Sequence, residues 1–526
     1  MNLIVFEDEH LLVVNKPAGW NTHSPSPYAG EGIYEWLKHR EPRWAKLAII
    51  HRLDKETSGL IVFGKTASAN RSLSAQFENR SVQKTYVLLT DHPVAFQNLA
   101  VNSKIARSGA QYASGSQGEP AETRFRLLGT YENGNLLEAQ PVTGRTHQIR
   151  VHAAENGFPI LGDALYGGKT FSRVCLHARE LRLKHPETQH DLTFSAELKF
   201  EDDARLALRQ VLIDEQETNA FRLIHGAADG WPGWYVEKLG DFLLSQSEQP
   251  LSEVQKDFLQ KHLSGSERPL RGVYHKTLSR HIRGAAIQQT SPDLVLGEPV
   301  PVEFSVCENG MNFAMRFNEG YSVGLFLDQR DNRRRFLTNH IAAQFPLFAS
   351  PAKAEVLNTF SYTCGFSVAA AQAGARVTSL DLSKKYLEWG RRNFALNNLD
   401  PAQHDFIFGD TFDWLHRMAK KKRSFDAIIL DPPTFSQSKE SGVFRADKDY
   451  GELVQAAVGV LKPSGVLFCS TNAAELKPET FWEMINAGVL SMKRKIQQQH
   501  YVPQPPDFPI TREEPSYLKT VWLRVA

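Results

Sequence analysis

Cysteine is scarce in this chain of 526 residues: there are four (Cys175, Cys307, Cys364, Cys469), and no two form a CxxC pair. A disulfide framework or zinc–thiolate site is therefore not expected, and a reducing compartment fits. No run of about 18 apolar residues occurs, so no transmembrane helix is predicted and no membrane partner is expected. The opening MNLIVFEDEHLLVV carries Glu7, Asp8 and Glu9 where a secretory leader would be apolar. This reads as a cytoplasmic protein. Charge of one sign is missing too: 61 basic and 59 acidic side chains leave a formal net charge of +2. A protein that grips nucleic acid through bulk charge would be more basic. HExxH, EF-hand and P-loop patterns are absent, so neither a metal nor a nucleoside triphosphate is supported.

What is present is ordinary globular composition, 41% hydrophobic and 23% charged with 35 Gly and 27 Pro. At roughly 100–200 residues per domain the length corresponds to two to four domains. No short internal repeat or low-complexity tract is found. The first part reads as short strands between turn signals: LIVF (3–6), LLVVNKPAG (11–19), GLIVFGK (59–65), KTYVLLT (84–90) and ETRFRLLGTY (122–131). Their alternation predicts a mixed, largely antiparallel sheet. The charged, helix-prone segment 201–218 is the candidate boundary. Beyond it come β-like pieces including 233–246, a helix near 251–263, and further strands to about 325. From 354 onward strands and helices alternate, which predicts a parallel, doubly wound sheet. The reading is a multidomain protein of α+β and α/β class. Its domains are expected at 1–212, 213–335 (a smaller α+β subdomain) and 336–526 (a Rossmann-like domain).

HRLDKETSG (51–59) sets Asp54 between Arg52 and Lys55, ahead of a Gly-containing turn into a strand. Taken alone, it is most simply a salt-bridged loop. Its companions change that: Lys84-Thr85-Tyr86 puts a phenol on a strand, and GRTHQIRVH (144–152) gathers Arg145, His147, Arg150 and His152. GFPILGDALYGG (157–168) and LHARELRLKHP (176–186) follow. In this order and spacing, from EDEHLLVVNKPAGW onward, residues 1–210 resemble the RluA-type pseudouridine synthases. The resemblance implies isomerisation of uridine in RNA to pseudouridine without cofactor or metal.

That chemistry needs a group to trap or deprotonate the ribose, and an aspartate is suited to either role. By the resemblance the catalytic residues are Asp54, Tyr86 and Arg150. The carboxylate must stay ionised in a water-poor pocket, which calls for a fixed cation, and Arg150 holds the matching position. A base flipped out of its stack leaves a space. Arg52 is the residue expected to fill it, with Arg145 and His147 also assigned to RNA. Many members carry a small RNA-binding domain ahead of these motifs, whereas here the motifs start at once.

In the last third, VLNTFSYTCGFSVAAA (356–371) is a strand, a turn with Cys364-Gly365, and a helix, without GxGxxG. Asp381, Asp410 and Asp431 end successive strands, so one crevice collects three acids, and a nucleoside cofactor is the natural occupant. With LDQRDNRR (327–334) ahead and AADGWPGWYVEKLGD (227–241) further upstream, residues 220–526 resemble the class I S-adenosylmethionine-dependent methyltransferases of 23S rRNA. These modify cytosine C5 or guanine N7.

The resemblance implies S-adenosyl-L-methionine as cofactor, held by Asn358, Phe360, Tyr362, Gly365, Asp381, Asp410 and Asp431. The acceptor base would meet Asp431, Pro432, Pro433 and Phe435, the carboxylate on its edge and the ring on its face. Cytosine C5 needs a thiolate adduct, because the carbon becomes nucleophilic only after the ring is attacked. C5-type relatives carry that cysteine just after the GVL strand, where GVLFCSTNAAEL (465–476) has Thr471-Asn472. Cys469 falls too early and reads as strand filler. Together with DPPTFSQSK (431–439) and YLEWGRRN (386–393), this favours guanine N7, with cytosine C5 the alternative. Cys364 replaces the usual Gly and is given no chemistry, and KKKR (420–423) reads mainly as a solvated helix end.

The expected whole is a bifunctional RNA-modifying enzyme acting on large-subunit rRNA. The alternatives are that one half is a silent RNA-binding module, or that the methyl acceptor is DNA or protein. The cationic residues are expected to form local basic clefts at 145–152 and 330–335.

Overall fold

A computed structural model describes residues 3–26, 28, 29, 32–131, 134–197, 200, 204–265, 270–278, 291–320, 322–438 and 442–526. Glu201–Asp203 of the expected boundary segment and Lys439 of DPPTFSQSK lie outside the described residues. Two compact units emerge. One is Met1–Pro25, Glu31–Lys38 and Arg43–Ile213, and the other is Ser26–Gly30, His39–Pro42 and Asp214–Ala526.

The first unit is built on an eleven-stranded sheet. Its main path runs Ile4–Glu7, Leu11–Lys16, Ser58–Gly64, Leu176–Lys184, Gln83–Thr90, Gly134–Pro141, Glu119–Tyr131, Asn98–Ser108 and Gln111–Ser114. Every pairing along that path is antiparallel except Ser58–Gly64 against Leu176–Lys184. The mixed, largely antiparallel sheet read from the sequence is what forms. The strand Leu11–Lys16 is buried along its whole length. Successive side chains point to opposite faces, so Leu12 and Val14 join one apolar cluster with Trp20, Ile61 and Phe63. Leu11 and Val13 join another with Leu60, Val62 and Leu181. At the parallel crossing Gly59 has φ +116°, and a Cβ there would strike the Ala178 backbone, which is why the HRLDKETSG loop must enter its strand through glycine.

The second unit opens with a five-stranded sheet in the order Ala220–His225, Trp234–Leu239, Phe242–Ser247, Gly272–Thr277, Asp293–Gly297. The helix Glu253–Gly265 lies between the parallel pair Phe242–Ser247 and Gly272–Thr277 in sequence, the crossover that parallel strands need. The run 233–246 is broken into a hairpin at Gly240, where φ is +62°.

The larger sheet has seven strands in the order Asp405–Phe408, Arg376–Asp381, Glu355–Thr359, Phe425–Leu430, Leu461–Thr471, Lys519–Val525, Ile496–Val502. All run in one direction except Lys519–Val525, which is antiparallel to both its neighbours, Leu461–Thr471 and Ile496–Val502. Strand order reverses between Glu355–Thr359 and Phe425–Leu430, and the crevice outside the carboxyl ends at such a switch point is where ligands bind. The doubly wound prediction is thereby met. The hairpin Phe435–Ser438/Gly442–Arg445, inserted after the fourth of these strands in sequence, was not foreseen.

Candidate active sites

Asp54 lies on a loop that is tied at several points. Leu53 N donates to Thr22 Oγ1 (3.0 Å), which returns a bond to Leu53 O (3.0 Å), and Thr57 N donates to Asp54 O (3.1 Å). Lys16, fully buried, aims its ammonium at the carbonyls of Pro17 (2.9 Å), Trp20 (2.6 Å) and Lys55 (3.2 Å). Burial pulls that ammonium down to about 7. The loop bearing Asp54 is thus held from below by a buried cation that the motif reading passed over.

Against this loop stands the helix Gln148–Glu155, which His147 enters in the left-handed region (φ 57°). Gln148, buried, accepts from Thr143 Oγ1 (2.6 Å) and Arg145 N (3.0 Å), fixing the approach. The helix thereby presents Arg150, only 3% exposed, to the site. Its Nε and Nη2 each bond an oxygen of buried Asp163 at 2.7 Å. The remaining Nη1 lies 3.9 Å from Asp54 and 3.7 Å from Glu56, with no hydrogen-bond partner among the described residues. His147 Nε2 is 4.0 Å from Asp54, and its Nδ1 is 2.8 Å from Tyr166 Oη.

Burial pushes the Asp54 carboxyl above the usual aspartate range, opposed by His147 and Arg150 and reinforced by Glu56. Arg150 is held above its ordinary value: burial works against its charge, but the bonds and charge of Asp163 outweigh it. Tyr86, half-buried on Gln83–Thr90 opposite Ala178 and Ala139, has its phenol pushed well up by burial and then by Asp54. It stays a neutral hydrogen-bond donor over the working range.

Asp54, Arg150 and His147 are therefore brought together, and Tyr86 feels the same carboxylate. Arg52, two residues before Asp54 in the chain, is exposed. Arg145 is half-buried, with Nε on Pro120 O (3.1 Å). The basic cleft expected over 145–152 does not form as such. Arg150 is buried against Asp163, and His152, fully buried, bonds Ser103 (3.0 Å) and Thr123 (2.9 Å). The helix is buried at every position from Gln148 to Ala153, so both residues are enclosed although they lie on different faces. Asp163 and Tyr166 sat unassigned in GDALYGG, whose acid was the one available signal.

In the second unit the loop after Glu355–Thr359 carries three non-glycine residues in the left-handed region: Phe360 (φ 53°), Tyr362 (φ 48°) and Cys364 (φ 66°). Each costs on the order of 1–3 kcal/mol, strain that collects at ligand sites. Cys364 takes the position a glycine would favour, and its buried sulfur is accommodated by Gly390 of YLEWGRRN, where a Cβ would collide with it. Asn358 is buried with Nδ2 on Ser367 Oγ (2.9 Å), and Gly365 begins the helix Gly365–Gln372.

Asp381 accepts Tyr362 N and Ser383 N, both at 2.8 Å, and burial raises its carboxyl. Asp410, buried, caps the helix Thr411–Lys420 through Asp413 N (3.1 Å). Leu382 and Phe408, exposed at adjacent strand ends, offer an apolar surface to a flat ring. A strained loop, an acid pinned at the next strand and this apolar edge suit an S-adenosyl nucleoside.

Asp431 follows the strand across the switch point. It receives Gln329 Nε2 at 3.3 Å on each oxygen, and burial pushes it up to about 6. Pro432 is buried, Pro433 exposed, and Phe435 45% exposed at the start of the hairpin. Thr434 Oγ1 donates to Asn472 Oδ1 (2.7 Å). Cys469 is fully buried inside Leu461–Thr471, its thiol pushed well up by burial.

The basic cleft expected over 330–335 is not there. Arg330 forks onto Asp507 (2.9 and 2.5 Å) and Arg333 onto Glu308 (2.6 and 2.7 Å), while Arg335 is buried on Ile341 O (3.2 Å). Buried arginines are kept only with such partners, and those partners lie at distant sequence positions. In 420–423 the three lysines are exposed, and Arg423 bonds Asp405 (2.7 Å). Gln329, Ser470, Asp328 and Tyr517, all near Asp431 or its neighbours, were not assigned from sequence.

Comparison with known proteins agrees with this division. The family described as RNA pseudouridylate synthase matches residues 10–155, and the S-adenosylmethionine-dependent methyltransferase family matches residues 273–524. Ribosomal large subunit pseudouridine synthase C of Yersinia pestis is 40% identical over 210 residues, 37% of this chain and 65% of the relative. The chain thus spans about 65% of the length of that relative. The synthase C of Vibrio parahaemolyticus is 33% identical over 229 residues, covering 41% of this chain and 70% of its own length. The protein named putative ribosomal RNA large subunit methyltransferase YwbD, from Bacillus subtilis, is 32% identical over 319 residues, 60% of this chain and 77% of its own. The solved structure of SMU.776, a putative methyltransferase complexed with SAH, superposes with a TM-score of 0.52 at 26% identity, covering 65% of this chain and 87% of that one. No helix among the described residues is long and apolar enough to cross a membrane. The chain belongs to the RNA pseudouridine synthases through its first unit and to the S-adenosylmethionine-dependent methyltransferases through its second.

Proposed function

We propose that this chain is a bifunctional RNA-modifying enzyme. Its first unit isomerises a uridine to pseudouridine, and its second methylates a base, guanine N7, in large-subunit rRNA. The observation that carries the reading is the unpartnered Nη1 of buried Arg150, aimed between Asp54 and Glu56 while the rest of its fork is held by Asp163. Such a cation favours the ionised carboxylate where water is scarce. Asp54 then acts on the ribose as nucleophile or base. The N1–C1′ bond breaks, a C5–C1′ bond forms, the C5 proton leaves, and N1 takes up a proton. The neutral Tyr86 phenol, next to the carboxylate, moves or orients a proton at the ribose. Exposed Arg52 takes the space the flipped base leaves.

In the second unit Asn358, Phe360, Tyr362, Gly365, Asp381 and Asp410 hold the cofactor, which supplies an electrophilic methyl group when bound. The lone pairs of Asp381 not engaged by backbone N–H groups receive ribose hydroxyls. Asp431 accepts from the acceptor base edge, with Pro432 and Pro433 stiffening the turn and Phe435 stacking on the base face. Guanine N7 is a nucleophile already and needs only positioning. The reading is supported by Cys469, whose thiol is buried in a strand, and by Thr471-Asn472 in the place of a nucleophilic cysteine. Ribosomal RNA as substrate sets the work in the cytoplasm.

Mass spectrometry of rRNA from cells lacking the protein tests the whole: one pseudouridine and one methyl group are expected to disappear. Persistence of both marks refutes the rRNA assignment. Cys469→Ala is expected to leave methyl transfer within about twofold of wild type, since no covalent adduct is involved. Loss of methylation in that variant returns the acceptor to cytosine C5.

A further inference from the structure

Gln329 precedes the helix Arg330–Thr338 and is 3% exposed. An amide's two ends are interchangeable in shape, so its orientation has to come from its neighbours. Here they leave one solution. The indole of Trp522, fully buried, can only donate, and it donates to Asn332 Oδ1 at 2.9 Å. Asn332 Nδ2 must then face the other way, and it donates to Gln329 Oε1 at 2.9 Å. Thr520 gives an independent check. Its hydroxyl hydrogen goes to Val502 O (2.7 Å), so Oγ1 is an acceptor, and it takes Asn332 Nδ2 at 3.3 Å.

With Oε1 filled, the NH2 of Gln329 points at Ser470 Oγ (2.8 Å) and at both oxygens of Asp431 (3.3 Å each). The strand ends carrying Asp431 and Ser470 are themselves clamped by Tyr450 Oη, which bonds Leu430 O (3.0 Å) and Ser470 O (3.0 Å) and accepts Ser470 N (2.9 Å). A donor-only side chain in the core thus dictates, two amides away, that Asp431 faces hydrogen-bond donors.

We propose that Gln329 is a positioning residue for methyl transfer, its amide oriented by Trp522 through Asn332 so that it holds the Asp431 carboxylate charged and fixed toward the acceptor base. The proposal rests on the reading of Asp431 given above. Burial is the main force raising Asp431, to about 6. Ser470 lowers it, Asp328 raises it, and Arg333 and Gln329 lower it, while the Tyr450 phenol is the further titratable group facing it. The charged form is the one that accepts from a base N–H, so methyl transfer falls as pH drops through about 6. Removing the Gln329 donors removes stabilisation of that form alone and moves the acid limb to higher pH.

The test is the pH–rate profile of methyl transfer for Gln329→Leu, Gln329→Glu and Trp522→Phe in the full chain, with thermal melting to verify folding. The companion measurement is a 13C-carboxyl NMR titration in aspartate-labelled protein, with the Asp431 signal assigned by Asp431→Asn. For Gln329→Leu the limb and the NMR midpoint are expected to rise by about one pH unit, with kcat recovering to within a few-fold at pH 8 and KM little changed. Gln329→Glu shifts both further, and Trp522→Phe shifts both in the same direction by less. A folded Gln329→Leu with both midpoints at the wild-type value overturns the proposal. If Gln329→Leu does not fold, an unmoved Asp431 midpoint in Trp522→Phe does the same. Failure of the wild type to methylate any RNA refutes the functional reading instead, and the NMR midpoints still decide the role of Gln329.

Discussion

Asp54→Asn is expected to lower pseudouridine formation by about 10⁴-fold or more, the scale on which loss of a nucleophile or essential base is felt, while methyl transfer continues. Asparagine keeps the shape of the side chain but can neither attack nor deprotonate the ribose. The change also removes the charge that Arg150 Nη1 and His147 Nε2 face at 3.9 and 4.0 Å. Both side chains keep other partners, Asp163 for Arg150 and Tyr166 for His147, so the fold is expected to persist. Tritium release from RNA carrying 5-³H-uridine reads the isomerisation, and methyl incorporation reads the other half. Residual isomerisation within tenfold of wild type would show that Asp54 is not the catalytic carboxylate.

Arg150→Ala should have the second largest effect, and it acts on stability as well as rate. The Arg150–Asp163 pair is almost completely buried, and both Asp163 oxygens are committed to it. Truncating one partner leaves a carboxylate stranded in the core, at a cost of about 3–5 kcal/mol. Arg150→Lys retains a charge but not the fork that holds Asp163 while a third nitrogen faces Asp54. It is expected to recover stability in part and isomerisation poorly. Denaturant titration of the variants checks the first claim, and tritium release the second. An Arg150→Ala protein as stable as wild type would mean that Asp163 finds other partners.

Much of the fold is legible in the sequence. The strands 3–6, 11–19, 59–65, 84–90 and 122–131 were visible because alternation and glycine breaks are local. The same holds for the strand–helix alternation after 354. Asp54, Tyr86 and Arg150 carry their assignment through motif order, and Asp381, Asp410 and Asp431 through their place at strand ends. The clusters at 145–152 and 330–335 misled for one reason: a run of arginines shows charge but not direction. Arg330 and Arg333 are neutralised by Asp507 and Glu308, 177 and 25 residues away in the chain. Lys16, Asp163 and Gln329 were overlooked because their importance depends on what they touch. All three lie inside quoted segments, EDEHLLVVNKPAGW, GFPILGDALYGG and LDQRDNRR, yet residue type alone gives them no role.

The sequence by itself determined the near-neutral charge, the lack of a cysteine framework, the two families and the order in which they follow along the chain. These follow from residue types and spacings, which are properties of a line. Tertiary structure decided which cations face a carboxylate and which are spent in the core. It also decided that the indole of Trp522 donates to Asn332, whose amide in turn meets Gln329. Hydrogen-bond direction and desolvation depend on neighbours in space, and here those neighbours come from segments up to 190 residues apart.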